Sequence, residues 1–412
     1  MSEPIIIVGA SHAGISCADQ LRKNGFSGDI DVIDRLDGLP LERPPLSKSY
    51  LETGADEAAR FHLRPAEWFE KNRISLITGR SVVAIDPSNR SITLDDQTER
   101  TFDKLVLATG ATPRELGRAA GLENVFMLRD CEDARRLREN ITKQGSALVI
   151  GGGYIGLEVA ASLTMAGMKV ELLEMADRLL PRVASLPISE FFEKTHRQHG
   201  VAIHTSNGCG DILQEAGGFT GVRLANNTII HADLLIVGIG VLPQTELAMG
   251  ANLETHNGIV VDKRMQTSDP NIFAIGDVAR RHHTLVRIES VDNAQTSAAA
   301  AAAAICNKPA PAIKSPWFWS EQFNVKLQSV GVIPSSADST CFVVRKGKRE
   351  GGFSVWSYDE SEHLAAVEAV GDAASYALGK KCLDSGLSPN VEMIADPAFD
   401  LRSFVSQYSV GI

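Results

Sequence analysis

The chain has 412 residues, 44% of them hydrophobic, and carries a formal net charge of −10. A single hydrophobic core stops growing at about 250–300 residues, so we expect two or three domains. The acidic balance argues against a nucleic-acid binder, whose affinity rests on a basic face, and we therefore predict no nucleic-acid partner. Apolar runs fall short of the ~18 residues that span a membrane, and no secretory signal opens the chain, so we expect a cytoplasmic protein without a membrane partner.

The N-terminal residues follow a β-α-β pattern. Residues 5–8 form a continuous apolar run that predicts a buried parallel strand, and apolar residues then recur at helical spacing from Ile15 to Leu21. Gly25 is expected to end this helix, and residues 30–33 predict the next strand. A unit of this order is typical of nucleotide-binding folds.

The turn after the first strand, residues 9–14, is a weakened G-x-G-x-x-G motif in which Ser11 replaces the middle glycine. Because serine is small and the strand-turn-helix order is kept, we predict that this turn binds a pyrophosphate. His12 is predicted to be a loop residue rather than a catalyst. Asp34 ends the second strand and is the predicted ribose ligand, with Asp37 as the alternative if the strand runs longer.

The same pattern recurs downstream with a complete motif. Residues 147–150 predict a strand, 157–163 a helix and 170–173 the next strand. Between the first two, residues 151–156 read GGGYIG, and Glu174 follows about twenty residues later. The glycines allow backbone to approach a pyrophosphate at the helix N-terminus, and Glu174 is predicted to bind the ribose hydroxyls.

Glu174 also predicts the choice of dinucleotide. Its carboxylate would repel a 2′-phosphate, so the sequence favours NADH over NADPH. Arg178 and Arg182 lie close enough in sequence to receive such a phosphate, and they keep the alternative open.

Downstream patterns indicate crossings between domains and a different C-terminal fold. Residues 105–110 and 234–240 are two strand ends followed by proline, and both are expected where the chain crosses between domains. Residues 272–275 predict another strand, and the alanine-rich stretch 293–305 predicts a packed helix. From Pro316 onward, short alternating segments predict a small α+β domain with antiparallel strands.

Several further motifs give the chain a specific resemblance to a known family. They are residues 41–48 (LERPPLSK), 108–113 (ATGATP), 276–277 (GD), 287–291 (RIESV) and 317–322 (WFWSEQ). With the two Gly-rich turns, they resemble the FAD-dependent NADH:ferredoxin reductases of bacterial oxygenase systems, the family that includes putidaredoxin reductase and the reductase components of biphenyl and toluene dioxygenases.

This resemblance implies an α/β fold with two Rossmann-like nucleotide-binding domains of the glutathione-reductase type, plus a small α+β C-terminal domain. It implies FAD in the first Gly-rich unit and NADH in the second. The expected FAD-binding domain comprises residues 1–109 and 241–315, the NAD-binding domain 110–240, and the C-terminal domain 316–412. The last is expected to cover the flavin and to shape the ferredoxin-docking face.

The two Gly-rich motifs and the resemblance together give the expected site residues. The expected FAD contacts are Gly9, Ser11, His12, Ala13, Gly14, Asp34, Arg35, Arg43, Pro45, Lys48, Val82, Ala108, Thr109, Gly110, Arg129, Gly276, Asp277, Glu289, Ser290, Val291 and Trp319. The expected NAD contacts are Gly151, Gly153, Tyr154, Ile155, Gly156, Glu158, Glu174, Arg182, Gly238, Ile239 and Gly240. Arg35 departs from the family, which has an acidic residue there for the adenosine ribose, so the contact with that ribose is left open.

Three of these residues are expected to take part in catalysis. Lys48 is implied near the flavin, where its charge would stabilise the reduced form. Glu158 is implied near the nicotinamide and is expected to pair with Lys48 when NADH is absent. Trp319 is implied near the isoalloxazine ring.

The positions of the cysteines restrict which class of flavoprotein the chain can belong to. The six cysteines show no paired or metal-like spacing, and residues 44–48 contain none, which disfavours disulfide reductases and single-cysteine NADH oxidases. The predicted acceptor is a [2Fe-2S] ferredoxin that feeds a ring-hydroxylating dioxygenase of aromatic hydrocarbon catabolism or a P450. The alternatives are a rubredoxin reductase, or a flavoprotein resembling apoptosis-inducing factor whose output is partner binding. A homodimer is left open.

An acidic ferredoxin would require a basic patch on this acidic chain. The candidates are Arg43, Arg64, Arg280, Arg281 and Arg287. The run 345–349 (RKGKR) is a further candidate, although a solvated hairpin tip explains it equally well.

His196 and His199 are three residues apart but lack a third ligand nearby. We therefore predict no metal site, and we expect the two histidines on a solvated helix.

Overall fold

The computed structural model describes residues 3–53, 59–282, 284, 287–334 and 341–408. Contacts between residues divide the chain into two compact units. Unit 1 comprises residues 1–45, 55–112 and 241–313, and unit 2 comprises residues 46–54, 113–240 and 314–412. The predicted α/β fold class, with two Rossmann-like parallel sheets and a C-terminal α+β region, is confirmed. The predicted boundaries of three domains stay a prediction.

Unit 1 contains a five-stranded parallel sheet with the first strand in its middle. The sheet order is Ile272–Ala274, Lys104–Leu107, Ile5–Val8, Ile30–Ile33 and Ile74–Ile77. Every residue of the central strand is buried, as its unbroken apolar run predicts. Its helices are His12–Lys23, Ala66–Lys71, Glu246–Gly250 and Val291–Ile305. The first and last of these pack against each other, because small alanine side chains allow a close approach.

Smaller elements complete this unit. Strands Val82–Asp86, Ser91–Leu94 and Glu99–Thr101 form an antiparallel sheet, and Ile259–Val261 pairs in parallel with Ala279–Arg281. A 3₁₀ turn spans Gly276–Val278. Further short elements lie at points where the chain passes from one unit to the other: the 3₁₀ turn Pro44–Ser47 and the strands Ala111–Pro113 and Val241–Pro243.

Unit 2 contains a second parallel sheet of the same kind. Its order is Ala202–His204, Lys169–Leu173, Ser146–Ile150, Leu234–Val237 and Val125–Phe126. The helices are Ser49–Thr53, Cys131–Glu139, Tyr154–Met165 and Leu186–Gln198, and a 3₁₀ turn spans Gly117–Ala119. Strands Asp211–Glu215, Gly218–Arg223 and Ile229–His231 form an antiparallel sheet.

The C-terminal part of unit 2 is a five-stranded antiparallel sheet with helices. The sheet order is Trp317–Gln322, Val325–Gly331, Leu364–Val370, Phe353–Tyr358 and Phe342–Lys346. The helices are Ala373–Asp384, Val391–Ala395 and Leu401–Tyr408. Trp356 and Tyr358 are fully buried and build the core here. Among the residues that the structure describes, no helix is long and apolar enough to cross a bilayer.

Candidate functional site

The first Gly-rich turn is shaped by close backbone approaches within unit 1. Gly9 has φ +106°, and a Cβ added there would collide with the carbonyl oxygen of Ala108. A Cβ on Gly14 would collide with the carbonyl oxygen of Gly9, and one on Gly276 would lie 2.8 Å from the Cβ of Ala13. These glycines are therefore required by the fold itself, because no other side chain fits. The predicted FAD residues of this turn lie together in unit 1.

Ser11 and His12 both bind Arg43. The Ser11 Oγ accepts a hydrogen bond from the Arg43 Nε at 2.9 Å, and the His12 Nε2 accepts one from the Arg43 amide at 3.3 Å. Burial, assisted by the Arg43 guanidinium and opposed by Asp277, lowers the pKa of His12 to about 4. The prediction of a loop residue is wrong, because His12 is the first residue of the helix His12–Lys23. That it is not a catalyst stays a prediction.

Asp34 binds the backbone of the same turn. Its Oδ2 accepts from the Ala10 amide at 2.5 Å and its Oδ1 from the Leu36 amide at 2.8 Å. The alternative, Asp37, accepts from the Gly38 amide and from Thr78 on the surface. The position of Asp34 at the turn suits a ribose ligand, and its role stays a prediction.

The Gly276–Asp277 segment is fixed by neighbouring side chains. The Gly276 amide donates to the Ser297 Oγ at 2.9 Å, and the Arg287 Nη1 donates to the Asp277 carbonyl at 2.5 Å. Arg287 also pairs with Glu289 at 2.6 Å, and its side chain is only 5% exposed. Close by in sequence, the Ser290 Oγ caps the helix Val291–Ile305 by accepting from an amide of its first turn.

The second Gly-rich turn repeats this geometry in unit 2. Gly151 has φ +110°, and an added Cβ would collide with the Gly238 carbonyl oxygen; one on Gly156 would collide with the Gly151 carbonyl oxygen. Gly153 differs, because an added Cβ there would meet nothing within 4 Å. It is also the N-cap of the helix Tyr154–Met165, and as a glycine it supplies no side chain to cap the first amides. Open space before uncapped amides fits a pyrophosphate.

Glu174 binds the second turn as Asp34 binds the first. Its Oε2 accepts from the Gly152 amide at 2.7 Å and its Oε1 from the Ala176 amide at 2.8 Å. Arg178 is engaged elsewhere, since it donates to the Ala184 carbonyl at 3.1 Å and to the Pro181 carbonyl at 3.0 Å. A phosphate would therefore have to compete with two backbone hydrogen bonds for Arg178.

Glu158 is a buried carboxylate that receives three hydrogen bonds. It is 3% exposed, and its Oε2 accepts from the Lys48 Nζ at 2.7 Å and from the Ser47 Oγ at 2.5 Å. Its Oε1 accepts from the Ser320 Oγ at 2.6 Å. The ion pair expected between Lys48 and Glu158 is present. Ser162 binds this cluster too, by donating to the Ser47 carbonyl at 2.8 Å.

Further hydrogen bonds connect this cluster, which comprises Glu158, Lys48, Ser47, Ser320 and Ser162, to His196. The Gln322 Nε2 donates to the Ser320 Oγ at 3.1 Å, and the Gln322 Oε1 lies 2.8 Å from the His196 Nε2. The expectation that His196 lies on a solvated face is wrong, because it is fully buried, whereas His199 is exposed. Burial lowers the pKa of His196 to about 4, although the bond to Gln322 opposes the shift. Within the described ranges, no group of three or more His, Cys, Asp or Glu residues is arranged to bind a metal.

Two of the arginines proposed for a docking patch are unsuited to that role. Arg287 is buried in the contacts described above, and Arg280 is 9% exposed and donates to the Thr284 carbonyl. The prediction is wrong for both, since their guanidinium groups stabilise the fold instead of facing solvent. Arg43 binds Ser11, and Arg64 binds Asp19 while stacking over a tryptophan ring. Arg281 is half-buried.

The basic run 345–349 begins in the last two residues of strand Phe342–Lys346 and continues into the turn before the paired strand Phe353–Tyr358, as the hairpin interpretation predicts. Arg345 donates to three backbone carbonyls, those of Ile394, Asp396 and Phe399, so it is a structural residue. The side chains of Lys346, Lys348 and Arg349 are exposed.

The remaining predicted residues lie at several places. Lys48, Arg129 and Trp319 belong to unit 2, although they were predicted as FAD contacts. The Arg129 amide donates to Asp133, and Trp319 stacks on Trp317 at 5.4 Å between ring centroids. Val82, Thr109 and Gly110 lie in unit 1, and Ile155, Arg182, Ile239 and Gly240 in unit 2.

Sequence reasoning missed the two serines that donate to Glu158, Ser47 and Ser320, and also missed Gln322, which donates to Ser320. Ser47, Ser320 and Gln322 lie within motifs that were recognised, and Ser320 and Gln322 share one face of their strand because they are two residues apart. That alternation was the sequence signal from which Ser320 and Gln322 could have been found. No sequence signal points to His196 or Ser162, because their hydrogen-bond partners are more than a hundred residues away in sequence.

Comparison with known proteins gives a consistent result. The family model described as "Pyridine nucleotide-disulphide oxidoreductase" matches residues 3–298, and "Reductase C-terminal" matches residues 317–405. The chain is 40% identical to "Probable ferredoxin reductase CtmF" of Castellaniella defragrans, over 98% of both chains. It is 38% identical to rhodocoxin reductase of Rhodococcus erythropolis, over 98% of this chain and 95% of the relative. A crystal structure of the covalent putidaredoxin reductase–putidaredoxin complex is similar, with a TM-score of 0.93, 36% identity and 99% coverage of each chain.

Proposed function

Because the chain belongs to the ferredoxin reductases of the pyridine nucleotide-disulphide oxidoreductase family, we propose that it transfers electrons from NADH through FAD to a [2Fe-2S] ferredoxin. It is an FAD-dependent oxidoreductase that uses a nicotinamide dinucleotide. The ferredoxin would feed a ring-hydroxylating dioxygenase or a P450.

The proposed location is the cytoplasm, where NADH is available. A homodimer is a further hypothesis, which sedimentation velocity tests.

The observation that carries the proposal is the Lys48–Glu158 pair. A disulfide reductase needs two thiols beside the flavin, and in this chain the turn Pro44–Ser47 leads directly to a lysine whose ammonium is bound by a buried carboxylate. A lysine ammonium held by a carboxylate suits a flavin that takes up negative charge on reduction, and it offers no thiol relay. Electrons therefore have to leave to an outside acceptor.

We assign FAD to the Gly9–Gly14 turn and the nicotinamide dinucleotide to the Gly151–Gly156 turn. Bound flavin would supply the chemistry, acceptance of two electrons from NADH and their release one at a time. The chain's own residues would bind and orient the dinucleotide: the first amides of helix Tyr154–Met165 would hold its pyrophosphate, and Glu174 would hold its ribose.

NADH is the proposed dinucleotide. Glu174 would repel a 2′-phosphate, and Arg178 is already bound to two carbonyls, which leaves Arg182 as the candidate arginine that could compensate. We expect kcat/KM for NADH to exceed that for NADPH by at least ~10-fold, equivalent to about 1.4 kcal/mol. Equal values for the two dinucleotides would contradict this assignment.

Steady-state reduction of cytochrome c tests the function as a whole. The purified holoenzyme with NADH should show a low rate alone and a much higher rate when a [2Fe-2S] ferredoxin is added. Stimulation by rubredoxin in place of ferredoxin would indicate the rubredoxin reductase alternative. Slow reoxidation with every acceptor, together with a persistent charge-transfer band, would indicate a flavoprotein that works by partner binding.

Docking of the ferredoxin is proposed to be partly electrostatic. The exposed residues Lys346, Lys348 and Arg349 are candidates for the basic surface. Raising the salt concentration should lower the rate of ferredoxin reduction while leaving NADH-to-ferricyanide activity constant. If Lys348→Glu leaves the salt dependence unchanged, the hairpin is not part of the docking surface.

A further inference from the structure

Glu368 is a fully buried carboxylate in the C-terminal sheet. It lies on strand Leu364–Val370, opposite Ser329 on one neighbouring strand and Val355 on the other. Burial raises the pKa of Glu368 to about 7, although hydrogen bonds from Ser185 oppose the shift. A carboxylate is costly to bury, so its contacts at this position are informative.

The partner of Glu368 is a backbone amide of the nucleotide-binding part of unit 2. Both carboxylate oxygens accept from the Ser185 amide, at 3.2 and 3.3 Å. Ser185 is the N-cap of helix Leu186–Gln198, and the positive end of a helix dipole favours a carboxylate. Glu368 therefore anchors the point where the segment 175–185 ends and the helix begins.

The segment 175–185 contacts the second Gly-rich turn directly. The Leu180 amide donates to the Gly152 carbonyl at 3.0 Å, and the Tyr154 hydroxyl donates to the Val183 carbonyl at 3.3 Å. The segment begins just after Glu174, which accepts from the Gly152 amide. It is thus bonded to the turn at its start, middle and end.

Arg178 cross-links the residues of the segment 175–185 by hydrogen bonds. Its guanidinium group donates to the carbonyls of Pro181 and Ala184. Ala184 directly precedes Ser185, so a displacement of Ser185 is transmitted through these bonds to the residues that contact the turn. A hydrogen bond in the C-terminal sheet is in this way connected to the geometry of the turn.

We propose that Glu368 is a positioning residue for the nicotinamide dinucleotide. It anchors Ser185, and through the segment 175–185 it sets the position of the Gly-rich turn and of Glu174. This inference rests on the proposed assignment of residues 151–156 to that dinucleotide. Because Glu368 acts through the Ser185 amide and is not among the residues assigned to either cofactor, its loss should weaken dinucleotide binding and leave the chemical step unchanged.

The test compares Glu368→Leu with Glu368→Gln in the FAD-containing holoenzyme. Leucine removes the acceptor and leaves the Ser185 amide unsatisfied, whereas glutamine keeps one acceptor oxygen. We expect the KM for NADH and the inhibition constant of AMP to rise about 5- to 10-fold with leucine and less than about 2-fold with glutamine, at unchanged kcat. Hydrogen exchange should become faster in residues 175–185 with leucine alone. Ser329→Ala, at the cross-strand neighbour, should change none of these values.

Glu368→Asp covers the case in which the leucine variant fails to fold. It keeps a carboxylate but withdraws it by one methylene from the Ser185 amide, so a KM rise of about 3-fold is expected. Faster exchange with an unchanged KM would overturn the proposal, as would a parallel loss of kcat and FAD content.

A Gly153→Ala variant tests the assignment of the dinucleotide site separately from the positioning role of Glu368. If it leaves the KM unchanged, the site assignment fails; if it raises the KM while Glu368 variants do not, only the positioning role fails.

Discussion

Removal of either partner of the Lys48–Glu158 pair should destabilise unit 2 strongly. The pair is 2.7 Å long, with side-chain exposures of 18% for Lys48 and 3% for Glu158. Breaking a buried ion pair by removing one partner costs about 3–5 kcal/mol, because the other charge is left without compensation. Because Lys48 is partly exposed, we expect the loss of folding free energy to lie near the lower end of this range, at about 3 kcal/mol for Lys48→Met or Glu158→Gln.

The double variant should be less unstable than the sum of the two single variants. Once both charges are absent, the glutamine can still bond to the two serine hydroxyls that contact Glu158, and no buried charge remains. We expect a coupling energy of about 2 kcal/mol from the double-mutant cycle. Calorimetry of the holoenzyme measures it, since a change of 1 kcal/mol shifts the melting temperature of a unit this large by roughly 2–4 °C.

A matched control is the pair of Lys23 and Asp19. The Lys23 Nζ lies 2.9 Å from the Asp19 Oδ2, but the lysine side chain is 62% exposed. Solvent screens such a pair, so its coupling energy should stay below about 1 kcal/mol. If Lys48→Met and Glu158→Gln prove additive within about 0.5 kcal/mol, the pair is not an energetic unit and the reasoning from burial is refuted.

Three further predictions concern other parts of the chain. Gly153→Ala should raise the KM for NADH at unchanged melting temperature, because the added methyl meets no protein atom within 4 Å; Gly208→Ala, with equally open space, should leave both unchanged. His196 is buried with its pKa lowered to about 4, so the folded state resists protonation and stability should fall as the pH drops from about 6.5 towards 4. At pH 5 this loss is about 2 kcal/mol, and calorimetry should show a smaller pH dependence for His196→Asn. Arg22→Met removes hydrogen bonds to four backbone carbonyls and should cost about 2–3 kcal/mol, whereas a loss below 0.5 kcal/mol would contradict that role.

The sequence by itself determined the two β-α-β units and their turns. Residues 5–8 and 147–150 are apolar throughout because strands in the middle of a parallel sheet are buried on both faces. The first and last glycines of each turn are required because backbone atoms approach where a Cβ would lie. Such signals are local in sequence, so spacing and residue type suffice to predict them. The family motifs added the cofactors and the expected pair of Lys48 with Glu158.

Tertiary structure alone decided which polar groups meet. Glu158 receives its hydrogen bonds from residues 110, 111 and 162 positions away, and Glu368 contacts Ser185 across 183 positions. Burial of His196 and Arg287 likewise depends on which element covers them, and both had been expected at the surface. Hydrogen-bond partners and burial arise when distant segments pack together, and neither periodicity nor motif spacing carries that information. The buried cluster around Glu158 and the anchor at Ser185 therefore became visible only in the folded chain.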